Sequence, residues 1–214
     1  VSNVPAFDPE QHAYSVDGVA LPSVTQVLHA TGMLPDYSRL DPFYRERGAA
    51  VHAAIQLDLK GDLDIESLTP EVGVHVARFW RFAEAVNLKP VWVEGPLYCP
   101  VYRYAGTPDC LAECDQGLVL FDWKCGGFEP GHAVQAAGGY LPLLERAAES
   151  GALPVTLTDL ALALVAVVPL ARDLPSAVWI KDDEPHRDYF RSALAIHNWR
   201  ALKMKENGNG NARA

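Results

Sequence analysis

The chain has 214 residues, of which 49% are hydrophobic and 21% charged, with a formal net charge of -9. That length and balance suit one folded domain with a sizeable core and exclude a disordered chain, while the acidic excess argues against a protein that coats nucleic acid indiscriminately. The longest apolar run, Leu160 to Leu170, is about half of the ~20 residues needed to span a bilayer, and the N-terminus lacks the basic region and apolar core of a signal peptide, so a cytoplasmic setting without a membrane partner is expected.

In chain order, His12–Val16 and Val19–Leu21 flank Asp17-Gly18, a two-residue hairpin signal. Ser23 and Gln26 are spaced as a capping box and open a helix. A second helix is expected from Asp41 to Leu59, stopping near Gly61, and a third from Pro70 to Val86 with Val72, Val76, Phe79, Trp80 and Phe82 as its apolar stripe. Three strands follow, Val91–Tyr98, Val101–Glu113 and Gly117–Cys125, then a helix from His132 to Ser150. A buried strand Asp159–Val168, an edge strand Ala177–Lys181 and a final helix Pro185–Met204 complete the order, with Phe190, Leu194 and Trp199 as packing residues of the last helix. Residues 1–206 read as a single domain and 207–214 as a disordered tail rich in Asn and Gly. A helical N-terminal part followed by βββ-α-β-β-α predicts an α/β (α+β) fold around a mixed central sheet flanked by helices.

The chemistry concentrates in Tyr104-Ala-Gly-Thr-Pro-Asp109 and Phe121-Asp-Trp-Lys124. Asp122 and Lys124 are two apart, so on a strand they leave one face and Trp123 the other. Asp115-Gln116-Gly117 reads as a hairpin turn that brings Asp109 alongside Asp122. Two acids and an amine converging at a sheet edge can bind a divalent cation and hold a water beside it, as metal-assisted phosphodiester hydrolysis requires. An Asp-x-Lys pair is ordinarily a solvated strand face. Here it ends Leu118-Val-Leu-Phe121, which reads as a buried strand, and charges at such a place need a partner.

These motifs, in this order, resemble the PD-(D/E)XK nuclease superfamily and, within it, the RecB-type exonuclease group found in bacteriophages. Tyr14-Ser-Val-Asp-Gly18 with Leu21-Pro-Ser-Val-Thr25 resembles the opening segment of phage members, and Arg47-Gly-Ala-Ala-Val-His52 the helix carrying the group's histidine. Glu94 lies where the first core strand often places an acid. Ala105-Gly-Thr-Pro-Asp109 and Asp122-Trp-Lys124 resemble the metal and catalytic motifs, and His132-Ala-Val-Gln135 with Tyr140 the motif of the next helix. The resemblance, over roughly residues 10–170, implies a restriction-endonuclease-like core and a Mg²⁺- or Mn²⁺-dependent deoxyribonuclease. It further implies an exonuclease of phage or bacterial recombination or repair, with DNA as substrate and a recombination or single-strand-binding protein as a candidate partner. Two departures stand out. Gln135 and Tyr140 are five apart, where the family usually has one helical turn, so a regular helix turns Tyr140 away unless Gly138-Gly139 bends or bulges it. Gln56 stands where an acid often follows the histidine by one turn.

By this resemblance Asp109 and Asp122 are expected metal ligands, with the Trp123 carbonyl completing the sphere, and Lys124 is expected beside the attacking water. The alternative for Lys124 is a salt bridge to either acid. His52 is a metal or water contact or a packed polar residue; Glu94 a ligand or a salt-bridge residue; Gln135 a contact to phosphate, base edge or Lys124, or a surface amide. His29, His75, His186 and His197 offer no constellation. Four cysteines, Cys99, Cys110, Cys114 and Cys125, lack the upstream-one, downstream-three arrangement of cluster-bearing relatives, so no iron–sulfur cluster is expected. From Arg187 onward six Arg/Lys face Asp188 and Glu206. That segment is a phosphate track or a solvated helix, and Arg45, Arg47, Arg187 and Arg191 are the candidate strand-positioning residues. The contrasting expectation is a non-catalytic nucleic-acid-binding or assembly protein that keeps the nuclease fold.

Overall fold

The computed structural model describes residues 5–8, 11, 13–36, 41–181 and 183–210. His12 and residues 211–214 of the expected tail lie outside them. The chain opens with a three-stranded antiparallel meander, β1 (Ala6–Asp8), β2 (Ala13–Val16) and β3 (Val19–Leu21). Asp17 and Gly18, both at positive φ, make the two-residue turn between Val16 and Val19, the conformation that an Asp-Gly pair favours. The first strand, three residues long, is absent from the sequence reading.

Helix α1 (Val24–Ala30) starts at the expected capping box: Ser23 Oγ accepts from the Gln26 N–H and Gln26 Oε1 from the Ser23 N–H, each at 3.0 Å. Helix α2 (Pro42–Lys60) is capped by Asp41, whose carboxylate accepts from the Phe43 N–H, and ends on Gly61 at φ 79°, a left-handed stop that glycine adopts without strain. Helix α3 (Pro70–Ala85) buries Val72, Val76, Phe79 and Phe82; Trp80 is only partly buried.

The next expected strands are each broken in two. Strands β4 (Lys89–Val93) and β7 (Cys110–Cys114) belong to the main sheet, whereas β5 (Leu97–Cys99) and β6 (Tyr104–Gly106) pair with each other in a separate ribbon. The breaks fall at Glu94, which has φ 21° and precedes Gly95-Pro96, and at Thr107-Pro108. Proline cannot donate to a ladder. Both arms therefore leave the main sheet together, and Asp109 sits at that bend.

Strand β8 (Gly117–Lys124) pairs antiparallel with β7 from Cys114↔Gly117 to Cys110↔Phe121, and parallel with β9 (Leu164–Pro169). With β10 (Val178–Ile180) the five-stranded mixed sheet runs β10-β9-β8-β7-β4. The expected strand from Asp159 starts later than the sequence suggested. Leu157–Ala161 is a short helix, α6, because Thr156 and Asp159 form a capping box; a short apolar run is compatible with either state until its cap decides.

Alternation along β8 sends Val119, Phe121 and Trp123 against Val51, Ile55, Phe79 and Phe82 of α2 and α3. Leu120 faces Val24, Leu28, Leu144 and Phe190 on the other side. The molecule is a mixed α/β structure with helices on both faces of its sheet.

The helix expected from His132 to Ser150 spans three conformations: α4 (Pro130–Ala133), a π-helical stretch Val134–Tyr140, and α5 (Leu141–Glu149). The Leu141 N–H donates to the Ala136 carbonyl, five residues back. Pro142 has no N–H for the Gly138 carbonyl and its ring would crowd it, which favours local widening. Tight packing fixes the rest: a Cβ at Gly138 would lie 2.2 Å from the His186 carbonyl oxygen, and one at Gly139 2.4 Å from Val24 Cγ1. The last helix, α7 (Glu184–Gly210), packs through Phe190, Ala193 and Leu194. It continues over 207–210, the start of the segment expected to be a disordered tail. Trp199 is 59% exposed, contrary to its expected packing role, because it lies on the face of α7 turned from the core.

A candidate active site of paired carboxylates and lysine

The hairpin register carries Asp109, one residue before Cys110, next to Asp122, one residue after Phe121. Both side chains are buried, Asp122 to 1% exposure. Lys124 Nζ lies 2.7 Å from Asp122 Oδ2. This is the salt bridge anticipated for Lys124, and both its charge and its contact with Asp122 favour the ionised carboxylate against burial. Asp109 Oδ2 accepts from the Trp123 N–H at 2.7 Å, and Oδ1 lies 3.1 Å from His52 Nδ1. His52 thus reaches the acid across the end of the sheet from α2. The Trp123 side chain is on the opposite face, stacked on Phe121 at 5.3 Å, as strand parity requires.

Glu94 is drawn in by the strand break: its N–H donates to the Asp109 carbonyl at 2.9 Å. Burial, then the nearby Asp109 charge, pushes its pKa up to about 7, against the pull of His52 and Lys60. Burial, reinforced by Asp109 and opposed by Lys124, raises Asp122 to about 6. Asp109 goes the other way: burial opposes ionisation, but the His52 charge and hydrogen bond, Lys124 and the Trp123 N–H together hold its carboxyl below the usual range. For His52, burial disfavours the charged ring and Asp109 outweighs it, leaving the pKa raised. The environment therefore separates the two aspartates into one firmly ionised and one easily protonated.

These shifts have a direct consequence for stability. Because Asp122 is raised, the native state keeps a proton that the unfolded chain has lost, so its contribution falls as pH climbs from about 4 to about 6 and stays low above that. The Asp122→Asn variant escapes this loss. Its melting temperature is expected to improve relative to the parent by about 5 °C between pH 4 and pH 8. Parallel pH profiles for the two proteins would mean that Asp122 is not strained by burial.

The π-helical stretch resolves the five-residue spacing of Gln135 and Tyr140. With i→i+5 bonding the two share a face, and Gln135 Nε2 donates to the Tyr140 hydroxyl and to Thr25 Oγ1, each at 3.0 Å. Gln135 is 5% exposed; it is not a surface amide, and its amide N–H groups go to these two hydroxyls. Burial raises the Tyr140 pKa well above the ordinary phenol value, and the charges of Asp122 and Asp109 add to it; the phenol faces the carboxylates. Thr25 was missed as a site residue; its only sequence signal is its place beside the capping box in the opening segment. His132, the first residue of the His132-Ala-Val-Gln135 motif, also lies in the field of Lys124. Its Nδ1 accepts from the Glu129 N–H at 3.0 Å, and burial, with Lys124 beside it, lowers its pKa to about 3, so it stands as a neutral imidazole.

Of the candidate strand-positioning arginines, Arg187 is tied into the fold. Arg187 makes paired 2.7 Å bonds to Glu145 and a 2.6 Å bond to Asp183, and these bonds raise its pKa further. Arg191 is paired with Asp188 at 2.8 Å. Arg200 donates to the Ala30 carbonyl at the end of α1, where a cation complements the helix dipole. Arg187 and Arg200 thus serve internal structure, whereas the Arg191–Asp188 pair is exposed on the surface of α7. The cysteines are free thiols, with Cys99 and Cys110 buried and Cys114 and Cys125 partly so.

Among the described residues no three His, Cys, Asp or Glu side chains are grouped so as to hold a metal by themselves, and no helix is long and apolar enough to cross a membrane. Two adjacent buried carboxylates, one of them facing Lys124, nevertheless suit Mg²⁺, which takes one or two carboxylates and fills its other positions with water and phosphate oxygen. No protein-family model matches the chain, and no curated protein matches it.

Proposed function

We propose that this protein is a metal-dependent deoxyribonuclease that cleaves DNA phosphodiester bonds, with a restriction-endonuclease-like core. The observation that carries the reading is the meeting, at one bend of the sheet, of Asp109, Asp122 and Lys124 with His52 and the Gln135–Tyr140 pair. The element order supports it: three antiparallel strands, a crossover through the π-containing helix, and a parallel strand β9 beside β8. Asp109 and Asp122, with the Trp123 carbonyl, would hold Mg²⁺ or Mn²⁺, and Glu94 and His52 border that place. When bound, the cation supplies charge neutralisation at the phosphate and a water of lowered pKa.

The chain's own residues do the rest. Lys124, held by Asp122, is placed to orient a water for in-line attack and to stabilise charge growing on the phosphoryl oxygens. His52 and the Trp123 N–H keep Asp109 ionised at neutral pH and fix its rotamer. Gln135 and Tyr140 wall the site on the helical side and exclude bulk water from the Asp122–Lys124 pair. The exonucleolytic, phage-recombination form of this activity follows the motif resemblance.

Metal exchange tests the reading. Ca²⁺ is expected to support DNA binding but less than about a hundredth of the Mg²⁺ cleavage rate, because its longer bonds and looser geometry place water poorly. Brisk turnover in Ca²⁺, or full turnover in excess chelator, contradicts a site of this kind.

A further inference from the structure

The inward stripe of α2 outruns its core. Val51, Ala54 and Ile55 are buried, and the same stripe continues one and two turns toward the N-terminus as Arg47 and Tyr44. There it loses its cover. Tyr44 is 51% and Phe43 48% exposed, although both are large aromatic side chains at the start of an otherwise packed helix. Arg47 lies over both rings, its Cζ 5.7 Å from the Phe43 centroid and 5.2 Å from that of Tyr44. The rings meet edge to face at 5.6 Å, so each keeps open surface. Arg47 Nε is buried without a hydrogen-bond partner, and Arg45 is exposed.

This overhang points at the candidate site. Tyr44, Gly48 and His52, at successive steps of four residues, follow one side of α2, and His52 touches Asp109. A Cβ at Gly48 would meet nothing within 4 Å, so that side is open. The Cys125 thiol at the end of β8 lies in the fields of both Arg47 and Lys124. Tyr44 is eight residues before His52, about 12 Å along the helix, the length of roughly three or four stacked nucleotides at ~3.4 Å each. Glu46 is the one acid among these residues and sits about 100° around the helix from either arginine.

We propose that Phe43, Tyr44 and Arg47 form a stacking platform for the unpaired end of a DNA strand entering the Asp109–Asp122–Lys124 site, which makes single-stranded or tailed DNA the substrate. Charge complementarity and open ring surface choose this occupant: an unpaired strand offers phosphates to Arg47 and base faces to the rings, whereas a duplex hides those faces in its own stack. The inference rests on the nuclease reading above for its substrate, but its test does not require cleavage.

Binding of the full chain in Ca²⁺ is measured for a single strand, a blunt duplex and a duplex with an unpaired tail. The Phe43→Ala/Tyr44→Ala variant should weaken single-strand and tail binding about 10-fold or more, and blunt-duplex binding by less than about three-fold. Tyr44→Phe should keep single-strand affinity and Tyr44→Leu should not, since leucine supplies bulk without a π face. A strand made abasic next to the cleaved end should lose affinity for the parent but little for the double variant. Equal losses on single strand and duplex, retention in Tyr44→Leu, tighter binding of the matching RNA strand, or losses that track a change in oligomeric state would each overturn the platform. Normal platform behaviour with no cleavage in Mg²⁺ or Mn²⁺ would instead remove the nuclease reading and leave a strand-binding surface.

Discussion

Alanine at Asp109, Asp122 or Lys124 is expected to lower the rate of DNA cleavage by roughly 100-fold or more each. Asp109 and Asp122 are adjacent through the hairpin register, and Lys124 is paired to Asp122 at 2.7 Å, so each removal dismantles the same local charge arrangement. The losses should not multiply: the Asp122→Ala/Lys124→Ala double variant should be little worse than either single one, because the two act as a unit. Melting separates this from misfolding. Ionised Asp122 is strained by burial, so Asp122→Ala should melt near the parent or above it at pH 8. Full activity in Asp122→Ala would sink the assignment, as would a loss of cleavage explained by a loss of folded protein.

The second large effect concerns the helix that completes the site. Gly138→Ala is expected to destabilise the protein by about 3 kcal/mol or more, a fall of roughly 6–12 °C in melting temperature. The added carbon would lie 2.2 Å from the carbonyl oxygen of His186, and backbone cannot step aside as a side chain can. Gly139→Ala meets the side chain of Val24 instead, at 2.4 Å, and should be milder if Val24 can turn. Gly126→Ala is the control, since nothing lies within 4 Å of its added carbon. In Gly138→Ala protein that remains folded, the π register should relax and Tyr140 should lose Gln135, so cleavage should fall further than stability predicts. Equal melting of Gly138→Ala and Gly126→Ala would mean that the helix is not held by α7 in this way.

The residues legible in sequence are those fixed by local rules. Ser23 and Gln26 cap a helix through their own spacing, Asp17-Gly18 turns a hairpin, and the turn at Asp115-Gln116 brings Asp109 beside Asp122, with Gly117 already paired to Cys114 rather than part of the turn. What was not legible depends on partners distant in the chain. The Gly138-Gly139 pair signals the bulge that brings Tyr140 to Gln135, but the packing of those glycines against α7 and α1 that fixes it lies beyond helical periodicity. Glu94 was legible as a candidate acid, but the positive-φ break at which it sits, and through which its N–H meets the Asp109 carbonyl, was not. Arg187 looked like a phosphate contact until Glu145, 42 residues away, was seen to hold it. Trp199 looked like core because apolar character was read without the face it occupies on α7. The rule that Asp-x-Lys usually faces water fails here for the reason given by the buried run before it: β8 is covered on both sides nearly to its end.

Incubation of end-labelled linear and circular DNA with the purified chain, in Mg²⁺, in Mn²⁺ and in excess chelator, tests the central claim most directly. A ladder of shortened products in either metal, absent in chelator and absent in Lys124→Ala, is the predicted result. Intact DNA in both metals with the parent protein, or the same ladder from Lys124→Ala, would contradict it.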